Sequence, residues 1–209
     1  MKKTILIILT ACLFTTFLSA QGQYEKGMQK ALQAMGEGQL PQAIALFERI
    51  SKVEKEKWVP DYYLAQNLIW SSFGTEDKTE KMALLEKAKA SIATAHEKSP
   101  DNSEIVTLEG YLYTAYLAMD PATYGMEYEP KVIGLHQKAI KLNPDNPRAH
   151  ANLIEYNMGK ARWFNQDLTP FCKEFQALIP KFENQTLETP FAPSHGLERA
   201  KEIAKTCDE

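Results

Sequence analysis

The 209-residue chain has only three cysteines and no block of basic residues. Three cysteines are too few for a disulfide-dense mini-protein. The 24 Lys and Arg residues are spread along the chain and balanced by 27 Asp and Glu, so the net charge of −3 lacks the electrostatic footprint of a polyanion-binding protein. Hydrophobic residues at 44% and charged residues at 24% are near globular averages, which excludes a disordered chain. We therefore expect one globular, domain-sized protein without a nucleic-acid partner.

Motifs for catalysis or metal binding are missing as well. The four histidines, at positions 96, 136, 150 and 195, do not stand at metal-ligand spacing such as HExxH. There is no GxSxG motif for a nucleophilic serine and no Cys–His arrangement separable from a disulfide. The short Gly36-Glu37-Gly38 stretch reads as a turn between helices. The sequence thus predicts a protein that is not an enzyme and has neither a metal site nor a cofactor.

The first twenty residues have the pattern of an export signal. Met1-Lys2-Lys3 is followed by an uncharged, mostly apolar run over residues 4–18, and small Ala20 suits the cleavage site. We expect cleavage after Ala20 and a periplasmic or secreted protein. In the alternative reading, Leu9-Thr10-Ala11-Cys12 resembles a lipobox, and a lipid on Cys12 would anchor the protein to a membrane.

Two cysteines, Cys172 and Cys207, remain after removal of the signal. An oxidising compartment favours pairing them. A disulfide closing this loop of about 35 residues would contribute roughly 3–4 kcal/mol in the chain-entropy model. The alternative is a pair of buried thiols.

An internal repeat is the strongest signal in the sequence. Residues 88–102 align with residues 132–146, and both segments end in Pro-Asp-Asn, with an alanine five residues before the proline. Proline ends the preceding helix, and the Asp-Asn that follows caps the next one. A partial third copy spans residues 38–50.

These motifs resemble the tetratricopeptide repeat (TPR) family. The resemblance rests on the segment at 139–149, on Gly110 with Tyr113, and on Ala43 with Phe47. It covers residues 24 to 160. It implies an all-α, right-handed solenoid of degenerate helix hairpins. We expect repeats over 21–164 after the signal peptide at 1–20, and a C-terminal helical cap over 165–209. The predicted helices are 24–36, 40–53, 58–72, 79–97, 103–118, 129–142, 147–162, 170–181 and 194–206.

The repeat is longer than the family pattern. Pro100 and Pro144 are 44 residues apart, whereas the family period is about 34. The sequence predicts that the extra residues form extended loops at 72–78 and 119–130, with a third loop at 165–170. Such loops would emerge along one edge of a solenoid and could form a binding face. The predicted edge patch consists of Tyr124, Tyr128, Trp163 and Phe164.

The resemblance also implies a binding groove lined by the first helix of each hairpin. The predicted groove residues are Tyr62, Gln66, Trp70, Thr107, Tyr111, Arg148 and Glu155. From this we expect a non-enzymatic module that binds a protein or peptide, or an assembly factor, in a bacterial cell envelope. Two alternatives stay open: a structural subunit lipidated at Cys12, and a small-molecule binding protein or enzyme that uses the extended loops.

Overall fold

The computed structural model describes residues 22–206, which form nine α-helices and no strand. The described part of the first helix, α1, spans residues 22–36. The predicted signal peptide, the lipobox at Cys12 and the predicted disulfide partner Cys207 lie outside the described residues. The other helices are α2 (Leu40–Val53), α3 (Val59–Gly74), α4 (Lys78–Lys98), α5 (Ser103–Met119), α6 (Pro121–Leu142), α7 (Pro147–Trp163), α8 (Thr169–Glu183) and α9 (Leu197–Lys205).

The helices stack as consecutive hairpins. α3 packs on α4 and α5 packs on α6, while α3, α5 and α7 pack side by side along one face. We call the face formed by α3, α5 and α7 the inner face. A continuous core runs from α1 through α6, and a second core joins α7, α8 and α9. This arrangement is the all-α solenoid expected from the repeat.

Local capping explains why the first residues of these helices can be predicted from the sequence. Asn102 accepts hydrogen bonds from the backbone N–H of Glu104, and Asn146 accepts from Arg148 and Ala149. Each asparagine satisfies backbone donors that have no partner within the helix. In both Pro-Asp-Asn segments the asparagine therefore caps the next helix, as predicted.

The predicted loop at 119–130 is wrong, because these residues extend a helix. α6 begins at Pro121, directly after Asp120, whose carboxylate accepts from the backbone N–H of Thr123. Pro130 lies within this helix and is exposed, so the carbonyl that it leaves without an intrahelical partner can bind water. The extra residues at 72–78 likewise lengthen α3 and α4, and only residues 75–77 link the two helices.

Tyrosine packing explains the preference for helix at the start of α6. Tyr124 and Tyr128 are four residues apart on one side of α6, with parallel rings whose centroids are 5.2 Å apart. Both rings also contact Tyr116 on α5, and Tyr128 contacts Tyr113. Helical geometry thus buries aromatic surface that an extended loop would leave in water. Half of the predicted edge patch is therefore a packing contact between α5 and α6.

Close approach of α5 and α6 depends on Gly110. An ideal Cβ on this residue would lie 2.5 Å from Cε1 of His136, whose side chain is fully buried on α6. Glycine is required here for space.

We therefore expect Gly110→Ala to lower the free energy of unfolding by about 2 kcal/mol, because the extra methyl group overpacks the core. Urea denaturation followed by circular dichroism measures this change. Gly134→Ala is the matched control, since Gly134 has open space around its Cβ position on α6 and alanine is the better helix former. Equal effects of the two substitutions would contradict a steric role for Gly110.

The chain leaves the helical pattern between α8 and α9. We call residues 184–196 the strap. The predicted helix 194–206 is shorter in the structure and begins at Leu197. Gly196 stops it from starting earlier, because it adopts φ 112° and lies where a Cβ would be 2.6 Å from the Phe182 ring.

Candidate binding cavity on the inner face

All seven predicted groove residues line one cavity of about 580 Å³ on the inner face. Tyr62, Gln66 and Trp70 recur every four residues on α3, so they share one side of that helix. Thr107 and Tyr111 have the same spacing on α5. Arg148 and Glu155 are two turns apart on α7. Helical spacing thus aligns the residues of each helix, and the packing of α3, α5 and α7 brings the three sets together.

The cavity is covered, however, by the C-terminal part of the chain itself. Ser194, His195 and Gly196 of the strap and the first turn of α9 form part of its wall, together with Phe175 and Phe182 of α8. Tyr62, Gln66, Thr107 and Arg148 are each less than 10% exposed. The groove floor is therefore buried beneath the strap instead of open along its length.

Arg148 joins the inner face to the strap. Its guanidinium donates two hydrogen bonds to the Glu104 carboxylate, at 2.7 and 2.8 Å. It also donates to the side-chain oxygen of Gln185 at 2.8 Å and to the backbone oxygen of His195 at 3.1 Å. Burial disfavours the charged form, but the hydrogen bonds to Glu104, the negative charge of that carboxylate and smaller contributions from Tyr62 and Tyr63 together outweigh burial and raise the pKa of Arg148. The guanidinium is a permanently charged anchor for the strap.

The His195 ring lies against α3. Its Nε2 is 2.8 Å from Nε2 of Gln66, and its ring meets the Trp70 ring edge to face. Burial, reinforced by the charge of Arg148, lowers the pKa of His195 to about 3. The ring is therefore neutral at pH 7, and Nε2 accepts a hydrogen bond from the Gln66 amide.

Two buried polar atoms at this contact lack a partner among the described residues. They are Oε1 of Gln66 and Nδ1 of His195. An unsatisfied buried polar atom costs about 1–3 kcal/mol, so such atoms are rare unless water or a ligand completes them. Gln66 is only 3% exposed and lines the cavity.

Aromatic side chains dominate the rest of the wall. Trp70 and Tyr111 are half-buried, and the Tyr111 ring contacts the ring of Phe73, which is 48% exposed. Burial raises the pKa of Tyr111 to about 12 and raises that of Tyr62 as well, so both phenols are neutral at pH 7. The cavity offers ring faces, neutral hydroxyl groups, one amide oxygen without a partner and the charged side chains of Arg148, Glu155, Glu198 and Arg199.

The remaining predicted edge-patch residues lie elsewhere. Trp163 is the last residue of α7 and Phe164 follows it; they are 81% and 64% exposed. Nearby, a Lys160–Glu129 ion pair joins α7 to α6. These two rings form an exposed aromatic pair on the surface.

Sequence reasoning missed the strap and α8 as parts of this site. Pro190 and Pro193 interrupt the helical pattern and indicate an extended segment, but no local signal indicates where that segment packs. Within residues 22–206, no group of three or more His, Cys, Asp or Glu side chains is arranged to hold a metal ion. In the same part of the chain, no helix combines the length and apolar character needed to cross a membrane.

Comparisons with known proteins agree on the fold. No family model matches the chain, and no curated protein does. Among solved structures, the HusA haemophore from Porphyromonas gingivalis superposes with a TM-score of 0.73 at 24% identity, covering 88% of this chain and 92% of that one. A thermophilic TPR protein from Thermus thermophilus, TTC0263, superposes with a TM-score of 0.58 at 16% identity, covering 88% and 89%. The chain has a TPR-like, all-α fold, which confirms the predicted fold class.

Proposed function

We propose that this chain is an exported, non-enzymatic binding protein whose inner-face cavity takes a planar aromatic small molecule of the porphyrin type. The main observation that supports this proposal is the cavity beneath the strap. Its volume of about 580 Å³ falls within the roughly 300–1,000 Å³ of small-molecule sites, which are mostly apolar with a few convergent polar groups.

Burial of the groove floor is the reason for preferring a small ligand to a peptide. An extended peptide on the inner face would need the positions at Gln66 and Arg148 that His195 and Gln185 now occupy. A compact ligand needs only the volume that the strap leaves open to solvent. The likeness to a structure described as a haemophore supports a porphyrin as the first compound to test.

Individual residues would have distinct roles. Trp70 and Tyr111 would stack on the ring system, since aromatic faces pack well in offset or edge-on geometry. Oε1 of Gln66 would accept a hydrogen bond from the ligand. Arg199, which lines the cavity and is 61% exposed, pairs with Glu155 and Glu202 and would exchange one of them for a carboxylate substituent of the ligand. Iron ligation is not part of the proposal, because Nε2 of the neutral His195 ring accepts from Gln66, Nδ1 then carries the proton, and the Tyr111 phenol is neutral at pH 7.

Titration with haemin and with iron-free protoporphyrin tests this function. We expect saturable binding of both compounds, seen as a shift of the porphyrin absorption band and quenching of tryptophan fluorescence. Trp70→Leu and Tyr111→Leu should each weaken binding about tenfold, because a stacked aromatic contact contributes about 0.5–1.5 kcal/mol beyond the buried area. Binding of haemin alone would assign the affinity to iron ligation instead of stacking.

Trp163→Leu is the matched control, since it removes an indole that lies outside the cavity. Circular dichroism should show that each variant is folded. No saturable binding by the wild-type protein, or equal weakening by Trp163→Leu and Trp70→Leu, would refute a porphyrin site on the inner face.

The protein for this test should be expressed with its own N-terminus and recovered after export. We propose that cleavage follows Ala20 and that Cys172 pairs with Cys207 in the mature protein. Cys172 is buried in the core formed by α7, α8 and α9, which is where a bridge from the chain end would fasten the last helix. Intact mass before and after reduction checks both features, and a lipid on Cys12 would appear as added mass.

A protein partner in the cell envelope is the second candidate function, in the role of a binding module or assembly factor. The exposed pair Trp163 and Phe164 favours it, because adjacent exposed aromatic residues are common anchors of protein interfaces. The Trp163→Leu variant serves here too: it should lose a crosslinked envelope partner that Trp70→Leu retains.

A further inference from the structure

A second cavity, of about 590 Å³, lies at the N-terminal end of the solenoid, away from the inner-face site. We call it the N-terminal cavity. α1 contributes Tyr24 and Glu25, and the strap contributes residues 189–191. The link between α2 and α3 contributes Glu54, Glu56, Lys57 and Trp58. Three separate parts of the chain thus converge on one volume.

Aromatic rings form much of its wall. Tyr24 and Trp58 are less than 10% exposed, and the Phe191 ring meets the Tyr24 ring edge to face at 5.8 Å. Phe191 has φ 65°, a left-handed conformation that is costly for a bulky residue. The surrounding contacts hold it there, as is typical of strained residues at functional sites.

The polar lining has an excess of negative charge. Glu25, Glu54 and Glu56 supply three carboxylates, and Lys57 is the single basic side chain. The Lys57 ammonium lies 4.6 Å from the centroid of the Tyr24 ring and pairs with Glu54 at 2.5 Å. A cation on an aromatic face with a carboxylate beside it is therefore already present in the wall.

The position of Lys57 indicates which kind of ligand the cavity can bind. Its side chain is 45% exposed and belongs to a turn between helices, so it can move aside without disturbing a core. Burial, with a contribution from Glu54, raises the pKa of Tyr24 to about 12, so its phenol is neutral at pH 7 and its ring face keeps its full size. Aromatic rings attract cations through their negative faces, and protein cages for quaternary ammonium groups work in this way.

We propose that the N-terminal cavity is a binding site for an organic cation, a compact ammonium group of an amine ligand, which displaces the Lys57 ammonium from the Tyr24 ring. This site is separate from the inner-face cavity. The result of its test does not depend on whether the inner-face cavity binds a porphyrin. The two share only the strap, which contributes Phe191 to one and His195 to the other.

Titration of the full mature protein with tetramethylammonium, followed by two-dimensional NMR, tests the proposal. The neutral analogue tert-butanol is the matched probe. We expect saturable shifts of the Trp58 indole N–H and the Phe191 amide with tetramethylammonium, and no saturable shifts with tert-butanol. Equal binding of both compounds, or no saturation by about 100 mM tetramethylammonium, would overturn the proposal, since a cation–π site should prefer the charged probe.

Variants identify the responsible groups. Lys57→Met should strengthen binding about threefold, because it removes the internal competitor and leaves Glu54 unpaired. Trp58→Leu should weaken binding at least fivefold, whereas Tyr24→Phe keeps the ring face and should bind like the wild type. Lys131→Met is the control, since Lys131 lies 3.9 Å from the Tyr113 ring centroid on α5, outside this cavity. Weaker binding by Lys57→Met would contradict displacement.

Discussion

Replacement of Arg148 by methionine should lower the free energy of unfolding by about 4 kcal/mol, because breaking a buried ion pair leaves an uncompensated charge. The Arg148 and Glu104 side chains are 8% and 13% exposed, and they share two hydrogen bonds. Methionine preserves much of the side-chain volume, so the loss reports on charge and hydrogen bonding more than on packing. Urea unfolding at pH 7 measures it.

Arg199→Met is the matched control. Arg199 pairs with Glu155 and Glu202, but it is 61% exposed, so its loss should cost less than about 1 kcal/mol. The double variant Arg148→Met/Glu104→Gln should be more stable than Arg148→Met alone, because the stranded carboxylate is gone. If the double variant is no more stable than Arg148→Met, the unpaired Glu104 carboxylate is not the cause of the lost free energy of unfolding.

The same substitution should loosen the strap. Arg148 donates to Gln185 near one end of the strap and to the backbone of His195 near the other. Faster amide hydrogen exchange over residues 184–196 than in Arg199→Met would show that Arg148 holds the strap on the inner face. The porphyrin titration on Arg148→Met then reports the joint contribution of strap closure and of the Arg148 side chain, which lines the cavity, to affinity.

Acid should destabilise the protein between pH 6.5 and 4, a range that begins about two pH units above the ordinary pKa values of carboxylates. Burial lowers the pKa of His136 to about 4, and burial with the charge of Arg148 lowers that of His195 to about 3. The ordinary histidine value is near 6.5. Below that pH the unfolded chain binds protons that the folded chain cannot, so the free energy of unfolding falls as the pH falls.

The expected loss is about 3 kcal/mol for each of these two histidines by pH 4. Stability is fully present above pH 6.5, and the histidine contribution to the loss levels off below the folded pKa values. Urea midpoints at pH 7, 5.5 and 4.5 measure the slope.

His136→Leu should remove about half of this slope. It also removes two ring nitrogens that are buried and have no partner among the described residues, so we expect little loss at pH 7. His150→Gln is the control, because His150 lies near the surface and bonds to the backbone of Pro144. An unchanged slope in His136→Leu would show that the acid sensitivity arises elsewhere.

Local interactions explain why most helix ends were predictable. Asn102 and Asn146 cap α5 and α7 through backbone donors two or three residues away, so the information lies within one turn of sequence. The grouping of Tyr62, Gln66 and Trp70 on one side of α3 also follows from helical spacing alone. The grouping of the three helices was implied by the resemblance to the TPR family, in which the first helices of successive hairpins line one face.

Non-local interactions account for the errors. Residues 119–130 carry glycine and two prolines, which suggest a loop, yet Tyr124 and Tyr128 gain more by packing on Tyr113 and Tyr116 across the hairpin. Local propensity is a weak prior against such burial. The long repeat period reflects longer helices, and an edge built from extended loops does not exist at this position.

The sequence by itself determined the all-α class, the repeat and the helical faces, because capping and the period of apolar residues act within a few residues of the chain. Only the tertiary structure decided that the inner face is covered. The contacts responsible join residues far apart in sequence, such as Gln66 with His195 and Arg148 with Gln185. Since these contacts depend on how the strap folds back over α3, α5 and α7, no local pattern could reveal that the strap covers part of the groove.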